Sequence, residues 1–251
     1  MTNTKIISTS DNSEIELILS DIDPQTLVVF DYNNVIAMNE EILFSSNNID
    51  YFIKIINELK NTIGKEKIEN VLIKIREHFR WTLVNLNWPT IIAELQLHGI
   101  KVLLLTAHRT GKVGNIEHIE DTRINDTLNL GIDFSKSWKN FHEVQFTNFS
   151  TTNNIDACLF GIPIFKKGIL FSCNIRKSDI LNAFLHQFKI KPQKIIFIDD
   201  SLKNVRLVQG MCDQLSISYL GIEYTAVEKL SKYRLSYEEA KKRINNYIKS
   251  E

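Results

Sequence analysis

The chain has 251 residues, enough for one α/β domain with an insertion or for two small domains. Its 30 lysines and arginines balance its 30 aspartates and glutamates, so net charge gives no general reason to bind nucleic acid or an anionic membrane. The polar N-terminal residues lack the apolar segment of a secretory signal, and no apolar run reaches the roughly 20 residues of a membrane helix. We therefore expect a cytoplasmic protein with three reduced, buried cysteines: Cys158, Cys173 and Cys212.

Buried strands and amphipathic helices are predicted in turn along the first half of the chain. Strands are indicated by short β-branched and aromatic runs, and helices by apolar residues at three- and four-residue spacing. Pro89 suits the first turn of a helix and Gly99 suits its end. The predicted elements are a strand at 26–30, a loop or flap at 36–48, helices at 49–59, 68–79 and 89–98, and a strand at 100–106.

In the second half of the chain, secondary structure is harder to predict up to about residue 175. Residues 107–175 show no clear period, apart from a strand or hairpin around 168–171. A capping box at 236–239 indicates the start of a terminal helix. The other predicted elements are a helix at 178–189, a strand at 194–198, a short helix around Val205 and Val208, and a strand at 216–222. Alternating helices and buried strands predict an α/β fold with a central parallel sheet.

Polar residues end three of the predicted strands. Asp31 ends the first strand, Thr106 ends the second, and the Asp199–Asp200 pair ends the third. In parallel α/β sheets, sites form at the carboxyl ends of strands, and carboxylates there are costly unless a cation neutralises them. Oxygen ligands of this kind suit Mg²⁺. Each acid alone could cap a following helix, but three acids and a hydroxyl at three strand ends favour one shared site.

The motifs around these residues resemble those of the haloacid dehalogenase-like (HAD) superfamily. Residues 28–35 (VVFDYNNV) resemble its first motif, a strand followed by D-x-D-x-T/V, and residues 103–106 resemble its second. Lys177 resembles the third motif, and residues 195–205 (IIFIDDSLKNV) resemble the fourth in its DD-x-x-x-N form. The resemblance covers roughly residues 26–225 and implies a Rossmann-like core with a small, mainly helical cap. It implies a core at 1–39 and 89–251, a cap at 40–88 and a candidate second insertion at 110–165.

The resemblance also implies roles for individual residues. Asp31 would be the nucleophile that forms an aspartyl-phosphate, Thr106 would bind the phosphoryl oxygens, and Lys177 would offset negative charge. Arg176 and the Lys166–Lys167 pair are alternatives to Lys177. The implied Mg²⁺ ligands are Asp31, the backbone carbonyl of Asn33, Asp199 and Asp200. The candidate substrate-binding residues are Asn34, Thr106, Ala107, His108, Arg109 and Lys177.

Asn33 departs from the superfamily pattern, which usually has aspartate two places after the nucleophile. That aspartate protonates the leaving oxygen and later activates water, and an amide does neither. The loss of a general acid/base typically costs about 10²–10⁴-fold in rate. Three interpretations stay open: a slow or differently assisted hydrolase, a phosphate-binding pseudoenzyme, or an engineered Asp-to-Asn variant that traps substrate.

The sequence thus predicts a magnesium-dependent phosphatase-like enzyme that acts on a small phosphorylated compound. The alternative is a non-catalytic module that binds a phospho-ligand or a protein. Dehalogenase or phosphonatase chemistry is a rival within the superfamily, and the absence of interleaved basic and aromatic runs argues against nucleic acid. Segments 121–128, 130–134, 168–171 and 219–222 also resemble DUF2608, a bacterial branch of the superfamily for which no substrate is implied.

Overall fold

The computed structural model describes residues 3–45, 47–149, 160–230 and 233–249, in which eight strands form a central sheet. The strands of this sheet are β1 (Thr4–Thr9), β2 (Thr26–Phe30), β5 (Lys101–Thr106), β6 (Val144–Gln145), β7 (Ile164–Lys166), β8 (Ile169–Phe171), β9 (Lys194–Asp199) and β10 (Ser218–Tyr224). Their order is β1-β10-β9-β2-β5-β8-β7-β6, and all pairs are parallel except the last two. A separate antiparallel pair joins β3 (Ala37–Asn39) to β4 (Trp81–Leu83).

Helices flank the sheet on both sides, and other helices pack together in a separate apolar cluster. The helices are α1 (Asn12–Ser20), α2 (Ile49–Ile63), α3 (Lys65–Glu77), α4 (Trp88–Leu97), α5 (Ile119–Asn129), α6 (Lys177–Gln187), α7 (Leu202–Gln214), α8 (Ala226–Leu230) and α9 (Tyr237–Lys249). Short 3₁₀ turns occur at Ile42–Phe44, Phe134–Trp138 and Thr147–Phe149. Within the described ranges, every helix is too short or too polar to cross a membrane.

Alternating side chains on the central strands build two apolar layers. Val28 and Phe30 of β2 pack with α1 and α4, whereas Leu27 and Val29 face α6 and α7. Successive side chains on a strand point to opposite faces, so a strand covered on both faces has a continuous apolar sequence. The predicted α/β fold, a mainly parallel Rossmann-like sheet flanked by helices, is therefore confirmed. Cys173 and Cys212 are buried free thiols, as predicted, and Cys158 lies outside the described residues.

Three segments differ from the predictions. Residues 4–20 form β1 and α1, although no element was predicted there, because an edge strand pairs on one side and carries a mixed pattern of buried and exposed residues. The predicted loop at 36–48 contains β3, which pairs with β4. Residues 119–129 form α5, whose buried side includes Glu120, Arg123 and Thr127, so an apolar period is missing from its sequence.

The helices between β3 and β4 share an apolar cluster with the last helix. Ile55 of α2, Ile75 of α3 and Ile244 of α9 are buried in this cluster. The fully buried Asn48 side chain accepts a hydrogen bond from the Leu235 backbone and donates to Ser45 and to two backbone carbonyls, which ties the two segments together. The predicted cap at 40–88 thus packs against the C-terminal helix, and its boundary with the core stays a prediction.

Candidate functional site

The sequence-predicted acids lie where the strand order of the sheet reverses. From β2 the chain continues to β5 and β8 on one side, and it later adds β9 and β10 on the other side, so the order of the strands reverses beside β2. Asp31 directly follows β2, Thr106 ends β5 and Asp199 ends β9. Ligands of α/β proteins bind in the crevice that such a reversal opens at the carboxyl edge. The fold therefore brings these three residues to the edge where a ligand site is expected.

Lys177 joins two of the acids. Its Nζ lies 2.7 Å from Asp31 Oδ1 and 2.6 Å from Asp199 Oδ2, and all three side chains are buried or nearly so. Lys177 is the first residue of α6, the helix that covers the sheet face of Val29 and Phe197. Asp31 and Asp199 continue the alternation of those two residues, so their side chains turn toward the N-terminus of α6.

The other basic residues that were candidates for this role either pair with another carboxylate or are exposed. Arg176 pairs with Asp179 at 2.9 Å, and its side chain is 69% exposed. Lys166 lies 2.7 Å from Asp121 on α5, and Lys167 is exposed. Among the basic residues considered from the sequence, Lys177 is thus placed by the structure against Asp31.

Asp199 accepts hydrogen bonds from three residues. Its Oδ1 accepts from the Ser201 backbone N–H at 2.8 Å and from Asn204 Nδ2 at 3.1 Å, while Oδ2 contacts Lys177. Asn204 is on α7 and was not among the predicted site residues, although it is the asparagine of the DD-x-x-x-N motif. Several hydrogen bonds, one of them from a charged donor, fix the orientation of this buried carboxylate.

The turn after Asp31 is also fixed. Asn34 has a positive φ of 62°, and its Nδ2 donates to Asp200 Oδ2 at 2.8 Å. The backbone N–H groups of Ile36 and Ala37 both donate to the Tyr32 carbonyl. Asparagine tolerates the left-handed region better than most residues, which accounts for its place in this tight turn. Asn33 is exposed, two residues after Asp31, and its backbone bridges to Ala37.

Three carboxylates converge closely enough for one cation. Asp31, Asp199 and Asp200 each offer an oxygen, and these oxygens lie within 4.8 Å of one another. Three negative charges and the one positive charge of Lys177 leave a formal charge of −2 when all are ionised. Hard oxygen donors with this excess charge fit Mg²⁺, which binds through a few carboxylates and retained waters.

Burial and charge shift the protonation of these groups. The pKa of Asp31 is raised to about 7: burial is the largest cause, Lys177 opposes it, and Asp199 and Asp200 add to the rise. Burial also raises the pKa of Asp200. Burial works against the charge on Lys177, but the attraction of Asp31 and Asp199 outweighs it and raises the Lys177 pKa. The site therefore attracts positive charge, and a bound cation would favour ionised Asp31.

Four further polar residues form a network beside the site. Arg76 of α3 donates to His108 Nε2 at 3.3 Å and to Asp126 of α5 at 3.2 Å. Arg123 of α5 lies 3.5 Å from Asp126, and its guanidinium is 3.5 Å from the ring centroid of Tyr32, the residue after Asp31. These contacts join residues distant in sequence, and no local sequence pattern marks Arg76 or Arg123 as part of a site.

The predicted substrate-binding residues after β5 differ in their surroundings. Thr106 is buried, and its Oγ1 accepts from the His108 backbone N–H at 3.4 Å. Ala107 is exposed, whereas His108 and Arg109 are half-buried. The Arg109 Nε atom is buried and finds no hydrogen-bond partner among the described residues. His108 and Arg109 thus turn toward α3 and are not freely solvated.

Comparisons with known proteins identify relatives but not an activity. The chain matches the model of a family described as Protein of unknown function (DUF2608) over residues 8–249. Uncharacterized protein RP296 of Rickettsia prowazekii is 27% identical over 216 residues, which cover 85% of this chain and 74% of that protein. Uncharacterized protein RP295 of the same organism is 30% identical over 155 residues, which cover 61% of this chain and 50% of the relative.

A third relative matches a shorter segment. A Chlamydia muridarum protein named Putative outer membrane protein is 46% identical over 67 residues, which cover 27% of this chain and 26% of that protein. No solved structure matches the chain.

Proposed function

The chain belongs to the DUF2608 family, and we propose that it is a magnesium-dependent phosphohydrolase of the HAD type for a small phosphorylated substrate. The observation that carries this proposal is the contact of Lys177 with both Asp31 and Asp199 at the point where the strand order reverses. A purely structural ion pair needs one carboxylate per ammonium. Here Asp200 adds a third carboxylate nearer to solvent, which supports a site built for a cation and an anionic ligand.

In the proposed reaction Asp31 is the nucleophile. One of its carboxylate oxygens bonds to phosphorus as the phosphorus–oxygen bond of the leaving group breaks, which gives an aspartyl-phosphate and an alcohol after proton uptake. Water then cleaves the aspartyl-phosphate and releases inorganic phosphate. Mg²⁺ held by Asp31, Asp199 and Asp200 would supply the charge that lets a carboxylate approach a phosphate. Lys177 holds Asp31 in place and offsets the remaining negative charge.

Asn33 limits the proposed turnover. Its amide is too weak an acid to protonate the leaving oxygen and too weak a base to take a proton from water, so both protons must be exchanged with solvent. We expect turnover about 10²–10⁴-fold slower than with a carboxylic acid at this position. Because Asn33 is exposed, an aspartate there would meet solvent and the open side of the site without repacking.

Phosphate release from p-nitrophenyl phosphate in MgCl₂ tests the proposal. We expect slow release by the unmodified protein, faster release by Asn33→Asp, and none by Asp31→Asn in either background. Exposed Asn148 offers a matched control, since Asn148→Asp adds the same charge far from β2 in the sequence and should leave the rate unchanged. If Asp31→Asn retains the full rate, Asp31 is not the nucleophile and the proposal fails.

Asn33 also supports a second candidate, a phospho-ligand-binding protein without turnover. This candidate keeps the same fold and cation site but needs no general acid. If Asn33→Asp releases no phosphate while inorganic phosphate with Mg²⁺ still raises the unfolding temperature, the binding protein becomes the better description.

A further inference from the structure

A cavity of about 190 Å³ lies between α3 and the segment that follows β5. Apolar side chains of α2 and the α3 region form much of its wall, including Phe52, Leu72 and Phe79. Arg76, His108 and Arg109 are its polar lining residues. His108 is two residues from Thr106 and donates to it through its backbone, so this end of the cavity adjoins the sheet edge that carries Asp31.

Positive charge exceeds negative charge around this cavity. Arg76 and Arg123 share one carboxylate, Asp126, at 3.2 and 3.5 Å. Glu69 of α3 attracts Arg109, but among the described residues no carboxylate lies within 4.0 Å of its guanidinium. The lining thus carries two guanidiniums, those of Arg76 and Arg109, and Arg76 shares its one carboxylate partner with Arg123.

His108 adds no charge to the cavity. Burial and the nearby Arg123 and Arg76 hold the His108 pKa well below its ordinary value, so the imidazole is neutral. An excess buried positive charge is costly unless an anion joins it.

We propose that this cavity is the subsite for the leaving group of the substrate, and that it takes an apolar body carrying one additional anionic group. This inference rests on the proposed phosphohydrolase function and adds the substrate class to it. The volume equals that of roughly six water molecules in the liquid, which suits a single ring or a short branched chain. The apolar wall accepts the body, and Arg109 and Arg76 recognise the anionic group.

The packing of α3 against the opposite segment supports a preformed cavity. Val113 and Ile116 exchange two backbone hydrogen bonds of 2.8 and 2.9 Å, which closes a tight turn under α3. Gly114 has a φ of +55°, and a Cβ built on it would lie 2.5 Å from Ile73 of α3. The turn can approach α3 this closely because position 114 has no side chain.

Two phosphonates of equal size but different charge test whether the cavity recognises an anionic group. In 4-carboxyphenylphosphonate the ring carries a carboxylate, and in 4-carbamoylphenylphosphonate it carries an uncharged amide of the same shape. Neither can be hydrolysed by the proposed reaction, because phosphorus is bonded to carbon. Isothermal titration of the unmodified protein in MgCl₂ should give at least about tenfold tighter binding of the carboxylate, since a hydrogen bond to a charged partner is worth roughly that factor.

Arg109→Gln should reduce this preference toward equal binding of the two compounds. Arg109→Gln is a more decisive variant than Arg76→Gln, because Arg109 makes no ion pair with the described residues. Its loss should therefore leave the fold intact. Arg76→Gln is the second variant and should reduce the preference too. Arg176→Gln is the matched control, because this exposed arginine pairs only with Asp179 among the described residues and should keep the full preference.

The outcomes distinguish this inference from the function on which it rests. Equal binding of the two phosphonates, or a preference that survives in both Arg109→Gln and Arg76→Gln, overturns the subsite. Binding of inorganic phosphate without binding of either phosphonate also overturns it, while the phosphoryl site stands. If inorganic phosphate and both phosphonates fail to bind with Mg²⁺, the proposed function fails and the subsite fails with it.

Discussion

His108 accepts a hydrogen bond from Arg76: the guanidinium nitrogen lies 3.3 Å from the imidazole Nε2. The other ring nitrogen, Nδ1, lies 2.7 Å from the Arg109 carbonyl, to which it donates. A ring that donates through Nδ1 and accepts through Nε2 is neutral, because a protonated imidazole has no acceptor left. Protonation would therefore break the contact between α3 and the segment after β5.

Acid should destabilise the protein through His108. Its folded pKa lies well below the ordinary value of 6.5, so the unfolded chain binds a proton that the folded chain does not. The stability contributed by the neutral ring is present above pH 6.5 and is lost as the pH falls below it, by at most about 1.4 kcal/mol per pH unit. Urea unfolding between pH 7.5 and 5.5 should show a smaller loss for His108→Gln than for the unmodified protein.

The control for this prediction is His186→Gln, on the exposed side of α6. It should lose stability with falling pH as the unmodified protein does. Equal losses for His108→Gln and the unmodified protein would contradict a neutral His108.

Mg²⁺ should stabilise the folded protein through the converging carboxylates. A ligand that binds the folded state alone adds about 2.7 kcal/mol at one hundred times its dissociation constant, so the unfolding temperature should rise with MgCl₂. Asp200→Asn should weaken this rise, since Asp200 offers one of the three converging oxygens and lies nearer to solvent than Asp199. Thermal melts with and without MgCl₂ measure the rise, and Asp213→Asn, an exposed substitution near the end of α7, should leave it unchanged.

Lys177→Met should be strongly destabilising. The substitution keeps much of the volume but removes the ammonium that contacts Asp31 and Asp199, and breaking a buried ion pair from one side typically costs about 3–5 kcal/mol. Added Mg²⁺ should restore part of the loss, because a cation can take over the neutralisation of the two carboxylates. Urea titrations with and without MgCl₂ test both points, with Arg176→Met as the exposed neighbour control. Unchanged stability of Lys177→Met would show that the contact is unimportant.

The central strands could be predicted from sequence because both of their faces are covered. β2 and β9 are near-continuous apolar runs, and the predicted strands at 26–30 and 194–198 coincide with Thr26–Phe30 and all but the last residue of Lys194–Asp199. β1 was missed because it pairs only with β10 and leaves part of its side chains exposed. α5 was missed because Arg123 and Glu120 lie on its buried side and their partners are distant in sequence.

The candidate site, too, could be predicted only in part from the sequence. Asp31, Thr106 and Asp199 could be predicted to meet, since the carboxyl ends of neighbouring parallel strands share one edge. The sequence left four basic residues open as the partner of Asp31, because spacing alone does not fix where a long side chain ends. The Arg76–His108–Asp126 network spans 32 and 50 positions, so only the packing of α3 on α5 brings it together. The catalytic and binding roles of all these residues stay predictions.

The turn between β7 and β8 should not tolerate a side chain at Gly168. Lys167 and Gly168 both have positive φ, at 48° and 78°, as a two-residue type I′ hairpin turn requires. A Cβ at position 168 would also lie 2.3 Å from the Phe134 carbonyl oxygen, which is backbone and cannot rotate away. Gly168→Ala therefore combines backbone strain with a steric clash.

Gly99→Ala is the matched control for Gly168→Ala. Gly99 has the same φ of 78°, but a Cβ there would meet no atom within 4 Å. Gly99→Ala should thus cost only the left-handed strain, about 1–2 kcal/mol, whereas Gly168→Ala should cost roughly 1–3 kcal/mol more for the clash. Urea unfolding of the two variants measures the difference directly. If the two variants lose equal stability, Phe134 must lie farther from the β7–β8 turn than the structure has it, and the anchoring of the 3₁₀ turn at Phe134–Trp138 against this hairpin would be wrong.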